Sequence, residues 1–282
     1  METILVATDY SAAATNAIAY AANLARHLKA RLVLCHAYYM MVTHMEVPKE
    51  LPGENELKAE NIARLRKLAD EIIKNYGIEV THITGPMPAS DFLLTTFYQT
   101  KASLVVMGMR ELSKLDQWLF GSTTSSVINE AAFPVIVVPE NRPYSPLSKI
   151  LVATDLQLHK IKSLALIGQL AQAYQGHVQL LHIAESSLEK TSPAESLTAE
   201  LENLLPNCSR EYVFYTHKDI AAGIKQAITD YTPDLLVMLP QQHDFWDIAL
   251  NKSNTRKLAF QSSIPLLAIP ASTTSHLDYK TD

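Results

Sequence analysis

A chain of 282 residues has room for about two domains of ordinary size. With 48% hydrophobic and 19% charged residues it can bury a sizeable core and lacks the composition of a disordered chain. The formal net charge of −5, with no run of five or more Lys and Arg, argues against a nucleic-acid binder, which presents a basic face.

The chain opens as METILVATD, with no basic region followed by an apolar one, so no secretory leader is expected. No apolar stretch approaches the roughly 18 residues that a spanning helix needs. The two cysteines, Cys35 and Cys208, make neither a CxxC pair nor a disulfide framework. A cytoplasmic protein with reduced thiols is expected, and Cys35, inside the apolar run RLVLCHA, reads as a small buried hydrophobe.

In chain order the first half alternates strand-like and helix-like segments. TILVATD is short and apolar, as in a parallel strand buried on both faces. Ser11 is placed to cap the Ala-rich segment AAATNAIAYAANLARHLKA, a strong helix former. RLVLCHA is the next strand. After a loop with Pro48, Pro52 and Gly53 comes an amphipathic helix, ELKAENIARLRKLADEIIKNY, stopped by Gly77. IEVTHIT then reads as a strand, PASDFLLTTFYQTK as a helix and SLVVMG as a fourth strand; a helix over about 122–132 and a last strand, PVIVVP, complete the set. This alternation calls for a parallel sheet with helices on both faces.

The second half repeats the first. ILVATD occurs at residues 4–9 and again at 150–155, and residues 3–37 align with 149–183 without a gap, eleven of 35 positions being identical. LVVM at 104–107 matches LLVM at 235–238, and FPVIVVP at 133–139 matches IPLLAIP at 264–270, both at an offset of 131 rather than 146. Two ungapped blocks in the same order mark a duplicated domain whose second copy is 15 residues shorter in its middle. That copy reads KILVATD, a helix to about Tyr174, HVQLLHI, a helix near 193–205, EYVFYTH, the helical DIAAGIKQAITDY, DLLVML, a loop, a helix and PLLAIP. The expected domains are 1–140 and 149–271, with a Pro- and Ser-containing linker over 141–148 and a polar tail over 272–282.

In an open parallel sheet a ligand sits beyond the carboxyl ends of the strands, where strand order reverses. Asp9 ends the first strand and Met107 and Gly108 end the fourth, so neighbouring strands would bring them to one crevice. A carboxylate there can accept hydrogen bonds from ribose hydroxyls, and a loop leading into a helix N-terminus can offer backbone N–H groups to phosphate. Asp9 alone reads equally well as part of a helix N-cap.

On these residues the chain resembles a tandem universal stress protein, two such domains in one chain. ValAlaThrAsp at 6–9 followed by Ser11 resembles that family's first-strand signature. Its phosphate signature is Gly, two residues, Gly, nine residues, Gly, then Ser or Thr; here the positions are Gly108, Glu111, Gly121 and Ser122. Pro134 and Pro265 match the Pro before the last strand. The resemblance implies two Rossmann-like domains of the adenine nucleotide alpha hydrolase type, each a five-stranded parallel sheet. It also implies a cytoplasmic stress-response role and binding of ATP or ADP in the first domain.

Carried over by resemblance, Ala7, Thr8 and Asp9 face the adenosine, and Ala37 offers backbone atoms to the adenine edge. Met107 and Gly108 lie beside the ribose and phosphates, and Gly121, Ser122 and Thr123 hold the phosphates, with Arg110 and Lys114 as local cations. Glu111 departs from the pattern: a carboxylate in a glycine's place repels an anionic tail unless it faces solvent or ligates Mg²⁺ beside the phosphates. In the second copy Leu239, Gln242 and Lys252 replace all three glycines and Gln157 stands where Ser11 does, so nucleotide binding in the family manner is not expected there. The family's dimer, made by last strands pairing, implies that PVIVVP and PLLAIP pair within the chain as a pseudo-dimer, with further homodimerisation open.

No GxxxxGKS/T, HExxH or GxSxG motif and no Cys–His metal spacing occurs, so no metal and no enzyme is expected, slow hydrolysis of bound ATP aside. His36 and His182 occupy equivalent places near the end of the second strand, where a structural or crevice-lining role outweighs metal binding. Three readings stay open: a nucleotide-binding stress module, a nucleotide-free interaction protein of the same fold, and an enzyme of nucleotide transfer or hydrolysis.

Overall fold

A computed structural model describes residues 2–38, 54–110, 127, 133–154, 164–184, 205, 208–239 and 264–269. The expected helices over about 122–132 and near 193–205, and the phosphate-loop positions Glu111, Lys114, Gly121, Ser122 and Thr123, lie outside the described residues, as does Asp155, apart from Val127 and Leu205 within those helices. By its internal contacts the chain divides into two compact units, one founded on Met1–Arg110 with Val138–Tyr144, the other on Ser145 onward with Val137 and the residues just before it.

In the first unit, β1 (Thr3–Ala7) is followed by α1 (Ala12–Leu28), β2 (Arg31–Ala37), α2 (Glu54–Tyr76), β3 (Val80–Gly85), α3 (Ala89–Thr100) and β4 (Leu104–Met109). The strand order is β3-β2-β1-β4, and β1 pairs in parallel with both β2 and β4. The chain therefore steps outward twice from β1 and then returns across it to β4. With right-handed crossovers, α1 and α2 lie on one face and the returning α3 on the other. Ile4, Leu5, Val6, Leu104, Val105 and Val106 have no solvent exposure, as strands covered on both faces require.

The ends of α1 follow from local chemistry. The Ser11 hydroxyl accepts a hydrogen bond from Ala14 N–H at 3.2 Å, an N-cap, and Lys29 closes the helix in the left-handed region. Its inner face is largely alanine (Ala13, Ala14, Ala17, Ala21, Ala25), which lets the helix lie close on the sheet. Gly77 ends α2 at φ +65°, its N–H bonded to Ile73 O at 2.9 Å, as the sequence predicts of that glycine. The strand expected over 78–84 begins at Val80 and runs on to Gly85; element ends are where sequence patterning is least sharp.

In the second unit the strands are β6 (Lys149–Ala153), β7 (His177–Ala184), β8 (Ser209–Thr216), β9 (Leu235–Met238) and β10 (Leu266–Ala268), with α4 (Leu164–Tyr174) and α5 (Ile220–Tyr231). They run β10-β9-β6-β7-β8, every neighbouring pair parallel. The Asp219 carboxylate caps α5 by accepting Ala222 N–H at 3.1 Å. The last strand of the first sequence copy, β5 (Val135–Pro139), pairs antiparallel with β10, Ile136 opposite Leu267. Asp234 fastens the segment before β6 by accepting the backbone N–H groups of Ser148 and Lys149, each at 3.0 Å.

Candidate functional site

Strand order reverses at β1, between β2 on one side and β4 on the other, and beyond the carboxyl ends of such a strand pair is where open parallel sheets in general take ligands. Thr8 and Asp9 follow β1, Ala37 ends β2, Met107 and Gly108 belong to β4, and Arg110 is the first residue beyond it. Asp9 and Arg110, 101 positions apart, meet: Arg110 Nη2 donates to Asp9 Oδ2 at 2.6 Å. Both side chains are more than half exposed, 62% for Arg110 and 57% for Asp9. The other carboxylate oxygen, Oδ1, accepts Ser11 N–H at 3.0 Å. Partial burial works to raise the Asp9 pKa, but the hydrogen bonds from Ser11 and the Arg110 charge outweigh it and hold the carboxyl below its ordinary range.

Two of the sequence-predicted residues have structural duties. Thr8 is buried and its hydroxyl accepts Tyr10 N–H at 3.0 Å, forming the turn into α1. Gly108 faces the first turn of α1: a Cβ there would collide with the carbonyl group of Ala13 and stand 2.8 Å from Ala14 N. Met107 is 5% exposed and packs into the core. Ala7 and Ala37 close their strands, with Ala7 in register with Cys35 and Ala37 with Gly85.

A cluster that the sequence reading did not assemble lies on the β2 side. Tyr10 takes a left-handed backbone, φ 62°, which turns its ring onto His36, centroid to centroid 4.6 Å. The Arg64 guanidinium, from α2, covers the Tyr10 ring at 3.7 Å, a cation–π contact. Burial pushes the Tyr10 phenol up, partly offset by the Arg64 charge. His36 Nδ1–H donates to Thr8 O at 2.8 Å, which fixes the proton on that nitrogen because a carbonyl only accepts. Nothing in the local sequence joins Arg64 to Tyr10. The equivalence of His36 and His182 was the one available signal, and the second unit repeats the bond, His182 Nδ1 to Thr154 O at 3.2 Å. Phe214 stands beside His182, ring centroids 6.0 Å apart.

Among the described residues, no group of three or more His, Cys, Asp and Glu could hold a metal ion, and no helix is long and apolar enough to cross a membrane. Leu239, at the place equivalent to Gly108, is 4% exposed, a buried side chain where the first copy has none.

Residues 1–139 match the universal stress protein family. A universal stress protein of Thermus aquaticus is 32% identical over 139 residues, covering 49% of this chain and 98% of the relative. One from Synechocystis is 29% identical over 143 residues, 49% of this chain and 85% of the relative. The crystal structure of a universal stress protein from Archaeoglobus fulgidus superposes over 96% of this chain and 98% of its own with a TM-score of 0.74, at 15% identity a likeness of fold. By these matches the chain belongs to the universal stress protein family.

Proposed function

We propose that this chain is a tandem, cytoplasmic stress-response module that binds ATP or ADP in its first half and is a binder rather than a catalyst. The observation that carries the reading is the meeting of Asp9 and Arg110 beyond the neighbouring strands β1 and β4, an acceptor for ribose beside a cation for phosphate. Backbone atoms of Ala7, Met107, Gly108 and Ala37 border the same crevice by their place at the strand ends. Gly121, Ser122 and Thr123 are assigned to the phosphates, and Glu111 to solvent or to Mg²⁺, on the family resemblance of their spacing. The second copy, with Leu239 buried at the Gly108 place, does not take nucleotide in this manner. The antiparallel pairing of β5 with β10 supports reading the end strands of the two copies as an internal pseudo-dimer contact.

Protein purified without added nucleotide, heat-denatured and analysed by chromatography with mass spectrometry tests the reading. ATP or ADP at about one per chain supports it. No nucleotide, together with no calorimetric binding of ATP and Mg²⁺, overturns it. That result favours a nucleotide-free interaction protein, a reading supported by the engagement of both Asp9 carboxylate oxygens within the chain itself.

A further inference from the structure

The Asp9–Arg110 pair is more than two residues that flank a crevice. Asp9 Oδ1 is tied to Ser11 N–H in the turn that starts α1, and the Thr8 hydroxyl is tied to Tyr10 N–H, so neither is disposable without loosening that turn. Oδ2 is the carboxylate oxygen outside the turn, and it holds Arg110 Nη2 at 2.6 Å. Arg110 reaches it by strand geometry. Two residues before Arg110, in β4, Gly108 lies against Ala13 at the start of α1, which brings the end of the strand beside the turn that carries Asp9. The pair is well exposed on both sides, 62% and 57%, so it is screened by water and weakly held.

A ribose that hydrogen-bonds Asp9 therefore competes with a guanidinium. A phosphorylated ligand brings a replacement partner, because a guanidinium can hold phosphate through two parallel N–H bonds, whereas Arg110 holds Asp9 through one exposed bond. A nucleoside brings none and leaves Arg110 without its partner. We propose that Arg110 is the specificity determinant of this site, exchanging Asp9 for a ligand phosphate, so that the crevice takes phosphorylated adenosine and discriminates against adenosine. This inference rests on the nucleotide reading and adds to it the residue that selects the phosphorylated form.

Calorimetric titration of the full chain with ATP and with adenosine, for wild type, Arg110→Gln and Arg110→Lys, tests the exchange. In Arg110→Gln, affinity for ATP falls about tenfold or more, the size of a lost charged hydrogen bond. Adenosine affinity rises by up to about fivefold, the ceiling set by the small worth of an exposed ion pair. The ATP-to-adenosine ratio therefore collapses, while Arg110→Lys, which keeps the charge without the planar fork, gives a ratio between the two. Thermal melts by circular dichroism confirm that each variant is folded, and Arg110→Lys carries the comparison if the Gln chain is not. An ATP-to-adenosine ratio unchanged from wild type in the folded variants overturns the proposal and leaves the nucleotide reading standing. Binding of neither ligand to wild type overturns the nucleotide reading and the exchange with it.

Discussion

Gly108, at the end of β4, lies against the backbone of Ala13 in the first turn of α1, so close that a methyl group on it would meet the Ala13 carbonyl. Its position matches a phosphate-binding glycine, yet its lack of a side chain is already required by the approach of helix to strand. Gly108→Ala overpacks backbone against backbone, which cannot swing aside as the end of a flexible side chain can. The expected loss is about 1–3 kcal/mol of unfolding free energy, read from urea denaturation. A stability equal to wild type would show that α1 can retreat without cost.

Ser11 caps α1 through Ala14 N–H at 3.2 Å, and its carbonyl also accepts the Thr15 hydroxyl at 2.9 Å. Only the first bond depends on the Ser11 side chain. Ser11→Ala is expected to cost about 1 kcal/mol, within the 0.5–2 range for a lost N-cap. Ser11→Asp, which restores an acceptor and places a negative charge at the helix N-terminus, should recover most of it. Denaturation midpoints of the three proteins check both statements.

Asp9 titrates below its ordinary value of 3.8 because the Ser11 hydrogen bonds and the Arg110 charge outweigh the effect of burial. A carboxyl with a depressed folded pKa contributes stability that is complete above its unfolded pKa and lost as pH falls through the folded one. Wild type should therefore exceed Asp9→Asn in stability at neutral pH, and the gap should close as pH drops below about 4. Because the pair is exposed, added salt should narrow the gap at neutral pH as well. Melting temperatures across a pH series with and without salt test this; a gap independent of both pH and salt would contradict it.

Cys35 sits in β2 with 2% exposure, and burial pushes its thiol up to about 12, the Thr96 side chain only partly opposing it. With so little thiolate near neutral pH, the native protein should leave this cysteine unmodified by a thiol-reactive dye. Unfolding in denaturant should release both thiols, Cys35 and Cys208. Peptide mapping after labelling identifies which residue reacts, and rapid native labelling at Cys35 would place it outside the core.

Much of the architecture was legible in the chain because its signals are local or repeated. The apolar runs that became β1, β2 and β4 mark strands buried on both faces, and alternation with helical segments marks a parallel sheet. Ser11 and Gly77 act within one helical turn of themselves, so their roles as start and stop could be read directly. The repeated ILVATD carried the second unit, and the equivalence of His36 and His182 anticipated a shared duty that proved to be the same bond to Thr8 and Thr154.

What the sequence by itself determined is the duplicated α/β plan, the order of its elements and the group of residues at the strand ends. The tertiary structure alone decided the partners: Arg110 with Asp9, Arg64 over Tyr10 against His36, Gly108 against Ala13, and Ile136 opposite Leu267. The physical reason is distance along the chain. Caps, stops and strand patterning are fixed by neighbours within a few residues, whereas each of these contacts depends on which strands lie side by side and how closely a helix settles on them. Those are properties of the packed core, and no single segment carries them.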